Sequence, residues 1–235
     1  MTTGRRDLLL FAGALTVRAA HVAAIRPGPL FRYLLIDSAF YDEVGRGLAA
    51  GAGFPPGVFF MNVLYGAFLG GVYSLFGSGD GGRLAALGIQ ALLGAGAVVL
   101  TARAGDRLGR PREGLIAAGV LAAYGPAVFY DGALLTPSLL LFLTVAAVVV
   151  AVPAVRGCVR AAVVLGLLVG LLTLGRANNA LLAPMFAVLA LRRGRSGLPA
   201  AVALLAMTLV VVLPVTVRNW RVSGELVPVT ANGGM

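Results

Sequence analysis

The chain contains no lysine, one cysteine and one histidine, and only nine of its 235 residues are acidic. Each scarcity closes off some chemistry. With Cys158 alone no internal disulfide can form, and with His21 alone the His and Cys spacings of a zinc site are missing. A metal would therefore have to rest on carboxylates. Phosphate-loop, dinucleotide and G-x-S-x-G signatures are absent as well. Charged residues make up 12% of the chain against a hydrophobic share of 59% and a mean hydropathy of +0.94. A soluble domain would carry about 25% charged residues, so this composition belongs in a bilayer. The net charge of +10 comes wholly from arginine, in short clusters between apolar runs. Nucleic acid as a partner would call for a continuous basic face with interleaved aromatics, and is excluded on that ground.

Eight apolar runs reach or approach the roughly 20 residues of a spanning helix: 8–25, 58–77, 83–103, 114–130, 134–153, 161–175, 178–191 and 198–217. Arg5 and Arg6 precede the first, as in a signal peptide, but no small-residue cleavage site leads into a polar mature domain, so it reads as an uncleaved helix. If all eight runs crossed from a cytoplasmic N-terminus, the arginines at 103–112, 156–160 and 192–195 would fall outside, against the positive-inside rule. Laying 58–77 along or into the outer face returns every cluster to the cytoplasm. Pro55, Pro56, Asn62, Tyr65 and Tyr73 suit that placement.

The expected fold is an all-α polytopic membrane protein with about seven transmembrane helices plus outer-face juxtamembrane helices. It places the first transmembrane helix at 8–25, a first outer loop with juxtamembrane helices at 26–82, six further transmembrane helices within 83–217, and an outer tail at 218–235. The chain is expected in the plasma (inner) membrane, with its N-terminus cytoplasmic and its tail outside. Glycine and alanine are abundant without any internal repeat, which reads as close helix packing by small residues.

This topology gathers Asp37, Asp42, Glu43, Asp80, Asp131 and Glu225 on the outer side, with Arg176 and the tail from Arg218. Three acids fall within DSAFYDE at 37–43, just beyond the first span, where depth is fixed and lipid-borne substrates are near. The stretch is a candidate reaction centre or a solvated loop start. Asp37 and Tyr41 are four apart and share one side of a helix, with Asp42 and Glu43 turned elsewhere. A carboxylate at Asp37 can take a proton from a hydroxyl or hold a divalent cation.

Arg18 and His21 share a face of the first helix, where a charge near midspan costs about 2.5–3.5 kcal/mol. Arg18 either has a partner or snorkels toward Arg26 and the headgroups. Asp131, before Gly132, serves as an ordinary turn residue or faces the same outer pocket. Arg176 in GRANN offers a rigid fork of donors for phosphate. Arg218, Asn219, Trp220 and Arg221 make a basic, aromatic exit that also fits an interfacial anchor.

The ordered set of Asp37 with Tyr41, VLYGAFLGGVYSLFG, GIQALLGAGAV, YGPAVFYDGALLTPSLLLFL, GRANNALLAP and RNWRVSGELVPVTANGG resembles the membrane glycosyltransferases of the GT-C type. Within that type it is similar to the group of dolichyl-phosphate-mannose protein mannosyltransferases and the aminoarabinose lipid A transferase. The resemblance runs from about residue 15 to the end but covers only the N-terminal half of a usual member. The chain is accordingly expected to be a truncated part, inactive alone or completed by a partner.

Several elements depart from the family pattern. Ser38 replaces the glutamate of D-E-x-x-Y, and Val63, Leu64 and Tyr65 stand where P-L-Y is usual. Thr136 occupies the acid position of L-L-D, with Asp131 as possible second acid five residues earlier, and Arg176, Ala177 and Asn178 stand for R-P-N.

The resemblance implies inverting transfer of a sugar from a polyprenyl-phosphate donor to an outer-face acceptor, which is a protein, a glycan or a lipid. Asp37 is the implied catalytic base or the ligand of a divalent metal ion. Arg176 and Arg218 are the implied donor-phosphate binders, with Tyr41, Arg18 and Asn178 in support. Two other classes compete: a permease or lipid flippase using Arg18, His21 and Arg176, and a noncatalytic membrane assembly module.

Overall fold

A computed structural model describes residues 3–231. Met1, Thr2 and the last four residues of the expected 218–235 tail lie outside the described residues. Among the described residues every regular element is helical, with no strand. The chain divides into two compact units, residues 1–54 with 65–145 and residues 55–64 with 146–235.

The first unit is built on α1 (Thr3–Ile25), α2 (Pro29–Arg32), α3 (Asp37–Ala49), α4 (Val63–Phe76), α5 (Asp80–Arg107), α6 (Pro111–Ala123) and α7 (Gly125–Asp131), and takes in the start of α8 (Pro137–Val155). The second unit holds α9 (Val159–Gly175), a short 3-10 turn leading into α10 (Leu182–Leu191), and α11 (Leu198–Ser223).

Four helical stretches are long and apolar enough to cross a membrane: Thr3–Ile25, Asp80–Arg107, Pro137–Val155 and Gly194–Ser223. The pair α6 and α7 makes a fifth if counted as one span broken by a 56° bend. The bend falls where Tyr124 leaves the helical region ahead of Gly125 and Pro126, since a proline disfavours helix in the residues before it.

The expected count of about seven spans is thus not reached on length and composition. The run 161–175 becomes α9, whose 17 residues rise only about 25 Å, short of a hydrocarbon core of about 30 Å. The run 178–191 opens as a 3-10 turn, Ala177–Leu181, and leaves a ten-residue α10. The expected tail at 218 also begins later, because α11 continues through Ser223 and stops at Gly224, a left-handed C-terminal glycine with φ 73°.

Helices α1 and α5 run antiparallel, locked at one end by a four-residue ionic cluster. Arg6 donates to both oxygens of Asp106 at 3.0 and 2.7 Å, and Arg103 donates to Asp7 at 2.9 Å, while Arg6 also grips Asp7. The basic N-terminus and the basic end of α5 are therefore neighbours. Helix α4, at 14 residues, is shorter than the candidate spans α1 and α5.

Glycine does the close packing anticipated for it. Gly66 and Gly70, one turn apart on α4, face Val44 and Leu48 of α3, where an added Cβ would come within 2.7 Å of each. Gly166 and Gly170 do the same for α9 against α11, and Thr208 donates to the Gly166 carbonyl at 3.2 Å.

Candidate functional site

Most of the buried polar chemistry of the first unit lies between the C-terminal half of α1, the N-terminal half of α5, the α7–α8 turn and the α3–α4 pair. Arg18 has found a partner. Its Nε donates to Asp131 Oδ2 at 2.7 Å, and both side chains are fully buried. Arg18 Nη1 also reaches the carbonyls of Ala14 and Ala122 at 3.2 and 3.4 Å. The close fit depends on Gly94 of α5, where a Cβ would lie 2.3 Å from Asp131 Oδ2 and 2.5 Å from Arg18 Nε. The snorkelling alternative for Arg18 falls, because the side chain has no exposure, and Asp131, at the end of α7 before the Gly132 turn, is buried against it. Arg18 Nη2, His21 Nε2 and Asp131 Oδ1 are buried without a hydrogen bond among the described residues.

One turn along α1, His21 lines a cavity of about 140 Å³ with Ser38, Arg83 and Phe129 among its other walls. Its Nε2 lies against Gly132, where a side chain would approach within 2.7 Å. Asp37 is the first residue of α3, directly before Ser38, and a carboxylate there suits the positive end of the helix. It is reached through Ile36, whose φ of 46° is rare for a β-branched residue. The Asp37 side chain is exposed and makes no hydrogen bond or ion pair among the described residues.

Tyr41, one turn further, is buried, so the shared face of Asp37 and Tyr41 runs from solvent into the protein. Thr136, standing where the family resemblance expects an acid, donates to Tyr41 Oη at 3.5 Å. The Tyr41 ring packs edge-on to Tyr65 at 5.0 Å, and Tyr65 hydrogen-bonds the Gln90 side-chain oxygen. Gln90 Nε2 in turn donates to the carbonyls of Tyr130, Asp131 and Ala133, at 2.8 Å to the last. One polar chain therefore links α3, α4 and α5 to the turn that carries Asp131.

Asp42 was expected to turn away; instead it is buried and saturated. It accepts from Arg83 at 3.0 and 2.9 Å, from Arg46 at 2.7 Å and from Tyr73 at 2.7 Å. Burial alone would push its carboxyl up, but the bonds from Arg83, Tyr73 and Arg46 prevail and hold it below the usual 3.8. A native pKa below the unfolded one means that the unfolded chain binds more protons, so stability rises with pH through that window. The contribution is complete above the unfolded value and is lost as pH falls through the folded one. Asp42→Asn is expected to cost about 1–3 kcal/mol near neutrality and to flatten the loss of thermal midpoint that wild type shows as pH falls through and below the usual carboxylate range. Equal acid sensitivity in the variant and the wild type would refute that role.

The expected phosphate binders lie in the second unit. Arg176 ends α9 with an exposed side chain, and no hydrogen bond or ion pair holds its guanidinium among the described residues. Asn178 is exposed beside it; Asn179 makes the local bond, to the Leu172 carbonyl at 3.1 Å.

Arg218 is differently placed. Its guanidinium donates to the carbonyls of Gly57 and Pro55 at 3.0 and 2.7 Å and stacks over Phe59 at 4.0 Å. A phosphate would have to compete with that loop for it. The anchor is completed by Asn219, fully buried, which accepts from the Phe59 amide at 3.3 Å and donates to Val227 and Val229 at 3.2 and 3.0 Å. Asn219→Ala strands three backbone groups and is expected to cost about 2–3 kcal/mol. Faster proteolytic clipping after residue 223 than in wild type would register it.

Gln90, Arg83 and Tyr73 are the residues that sequence reasoning passed over. A glutamine inside the apolar run GIQALLG was the available signal, because a polar side chain at membrane depth needs a partner. Among the described residues no three His, Cys, Asp or Glu side chains group as a metal centre would need. A cation on Asp37 would therefore take its remaining ligands from water or substrate. Comparison with protein-family models, curated proteins and solved structures finds no match to this chain.

Proposed function

We propose that the chain is the membrane domain of a glycosyltransferase that moves a sugar from a polyprenyl-phosphate donor to an acceptor on the outer face. The observation that carries the reading is the placement of Asp37: a free, exposed carboxylate whose neighbour Ser38 lines the cavity shared with His21 and Arg83. A general base needs that combination of reach and freedom. Asp131 and Asp42 lack it, since both are consumed by arginine.

In this reading Asp37 accepts the proton of the acceptor hydroxyl, whose oxygen forms a bond to the anomeric carbon from the face opposite the lipid phosphate. The phosphate leaves with the electron pair of the broken C–O bond, with inversion. Asp131 orients Arg18 and does not act as a second acid. Seven crossings, by α1, α5, the α6–α7 pair, α8, α9, α10 and α11, with α2, α3 and α4 on the outer face, put the basic clusters in the cytoplasm. The short α9 and α10 are accommodated by local thinning of the bilayer.

The test is reconstitution of the chain with a panel of polyprenyl-phosphate sugars labelled in the sugar. Label appearing in acceptor, with free polyprenyl phosphate released, is the expected result. Labelled donor crossing the bilayer intact, with no bond made or broken, would replace the transferase by a lipid flippase.

A further inference from the structure

Two further hollows in the first unit lie beside the cavity assigned to transfer, one of them sharing Phe31 with it. Between α1 and α5 runs an apolar groove of about 700 Å³, walled by residues such as Leu15, Ala19, Val22, Ile89 and Leu92. Its lining includes Arg26 and Leu84, and the same two residues line an adjoining hollow of about 400 Å³ with Arg32 and Asp80. The groove thus opens into the hollow at the level where α1 ends, at Ile25, and α5 begins, at Asp80. In the topology proposed above, which this placement rests on, that level is the outer boundary between hydrocarbon and headgroups.

The geometry points to a binding site for an amine-bearing phospholipid, its acyl tail in the groove and its phosphoethanolamine head in the hollow. Arg26 and Arg32 are exposed, and among the described residues neither side chain has a hydrogen-bond or ion-pair partner. Two unsatisfied guanidinium forks at headgroup depth match the oxygens of a phosphodiester. Asp80 separates this hollow from a plain anion site. Its carboxylate is 85% exposed, and its ion contact is Arg83 at a loose 4.0 Å. Beside a purely anionic head that carboxylate repels; beside a phosphoethanolamine it accepts the ammonium N–H groups. A choline head carries the same charge but offers no N–H donor, so a hydrogen-bonding carboxylate discriminates between the two. The site adjoins the cavity assigned to transfer through Phe31 and Arg83, and its readout is lipid retention, which needs no transfer.

Native mass spectrometry of the purified chain, with phosphatidylethanolamine, phosphatidylcholine and phosphatidylglycerol of identical acyl chains as probes, tests the assignment. Phosphatidylethanolamine is expected to be retained roughly tenfold more tightly than either competitor, the factor one charge-assisted hydrogen bond supplies. Asp80→Asn is expected to bring phosphatidylethanolamine down to the phosphatidylcholine level while leaving phosphatidylglycerol as strong or stronger. Arg26→Gln with Arg32→Gln is expected to weaken phosphatidylethanolamine and phosphatidylglycerol alike. All three residues are exposed, so these variants keep the fold. Equal retention of the three lipids, preference for phosphatidylglycerol by the wild type, or indifference to Asp80→Asn would each overturn the proposal.

Discussion

Asp131→Leu is expected to remove about 3–5 kcal/mol of stability, enough to abolish recovery of a monodisperse protein in mild detergent. The reason is what it leaves behind. Arg18 would stay in a site with no exposure, its Nε stripped of a 2.7 Å carboxylate and its Nη2 already without a bond. Two carbonyls at 3.2 and 3.4 Å cannot offset a full charge at that depth. Removing both charges, with Arg18→Met and Asp131→Leu together, takes away the stranded ion and is expected to restore most of the loss, since apolar replacements of buried pairs are often close to neutral. The measurement is the folded fraction by size exclusion after a heating series, for both single variants and the double. The non-additivity gives the coupling directly. A double variant as poor as Asp131→Leu would show that the pair holds some group the structure does not account for through charge.

Asp37→Asn is expected to lower sugar transfer by about 10²- to 10⁴-fold, the span of general base catalysis, with folded yield unchanged. The separation of the two effects follows from position. Asp37 is exposed and without partners among the described residues, so its amide isostere disturbs no packing and strands no donor. Asp42, five residues on, is the internal control. Its replacement disturbs Arg83, Arg46 and Tyr73 and so lowers stability. Single-turnover transfer from labelled donor, normalised to inserted protein, is the measurement. Full transfer by Asp37→Asn would put the base elsewhere, with His21, whose Nε2 is unengaged at the cavity, the next residue to replace.

The sequence was informative where a local rule applied. Apolar runs of near-spanning length mark every long helix because a bilayer allows the backbone no other partner than itself. The Arg6–Asp106 contact brings the start of α1 beside the end of α5. Of the run 58–77, Val63–Phe76 forms α4, which is shorter than the candidate spans. Local rules were weaker where two halves of one helix differ in fate. Nothing in GRANNALLAP distinguishes a full crossing from a 3-10 turn followed by ten helical residues. In DSAFYDE, spacing alone put Asp42 off the working face, although α3 buries it toward Arg83.

By itself the sequence determined that this chain is helical and apolar enough for a membrane and that Asp37 sits past the first long helix. Those properties depend on composition and on neighbours within a few residues. Only the tertiary structure decided which charges are spent and which are free. Arg18 meets Asp131 across 113 positions, Asp42 meets Arg83 across 41, and Arg218 turns to a loop 161 residues away. At membrane depth an ion is tolerated only beside its counter-ion. Which residues remain available for chemistry is therefore set by long-range pairing, and Asp37 stays exposed and without a hydrogen bond or ion pair among the described residues.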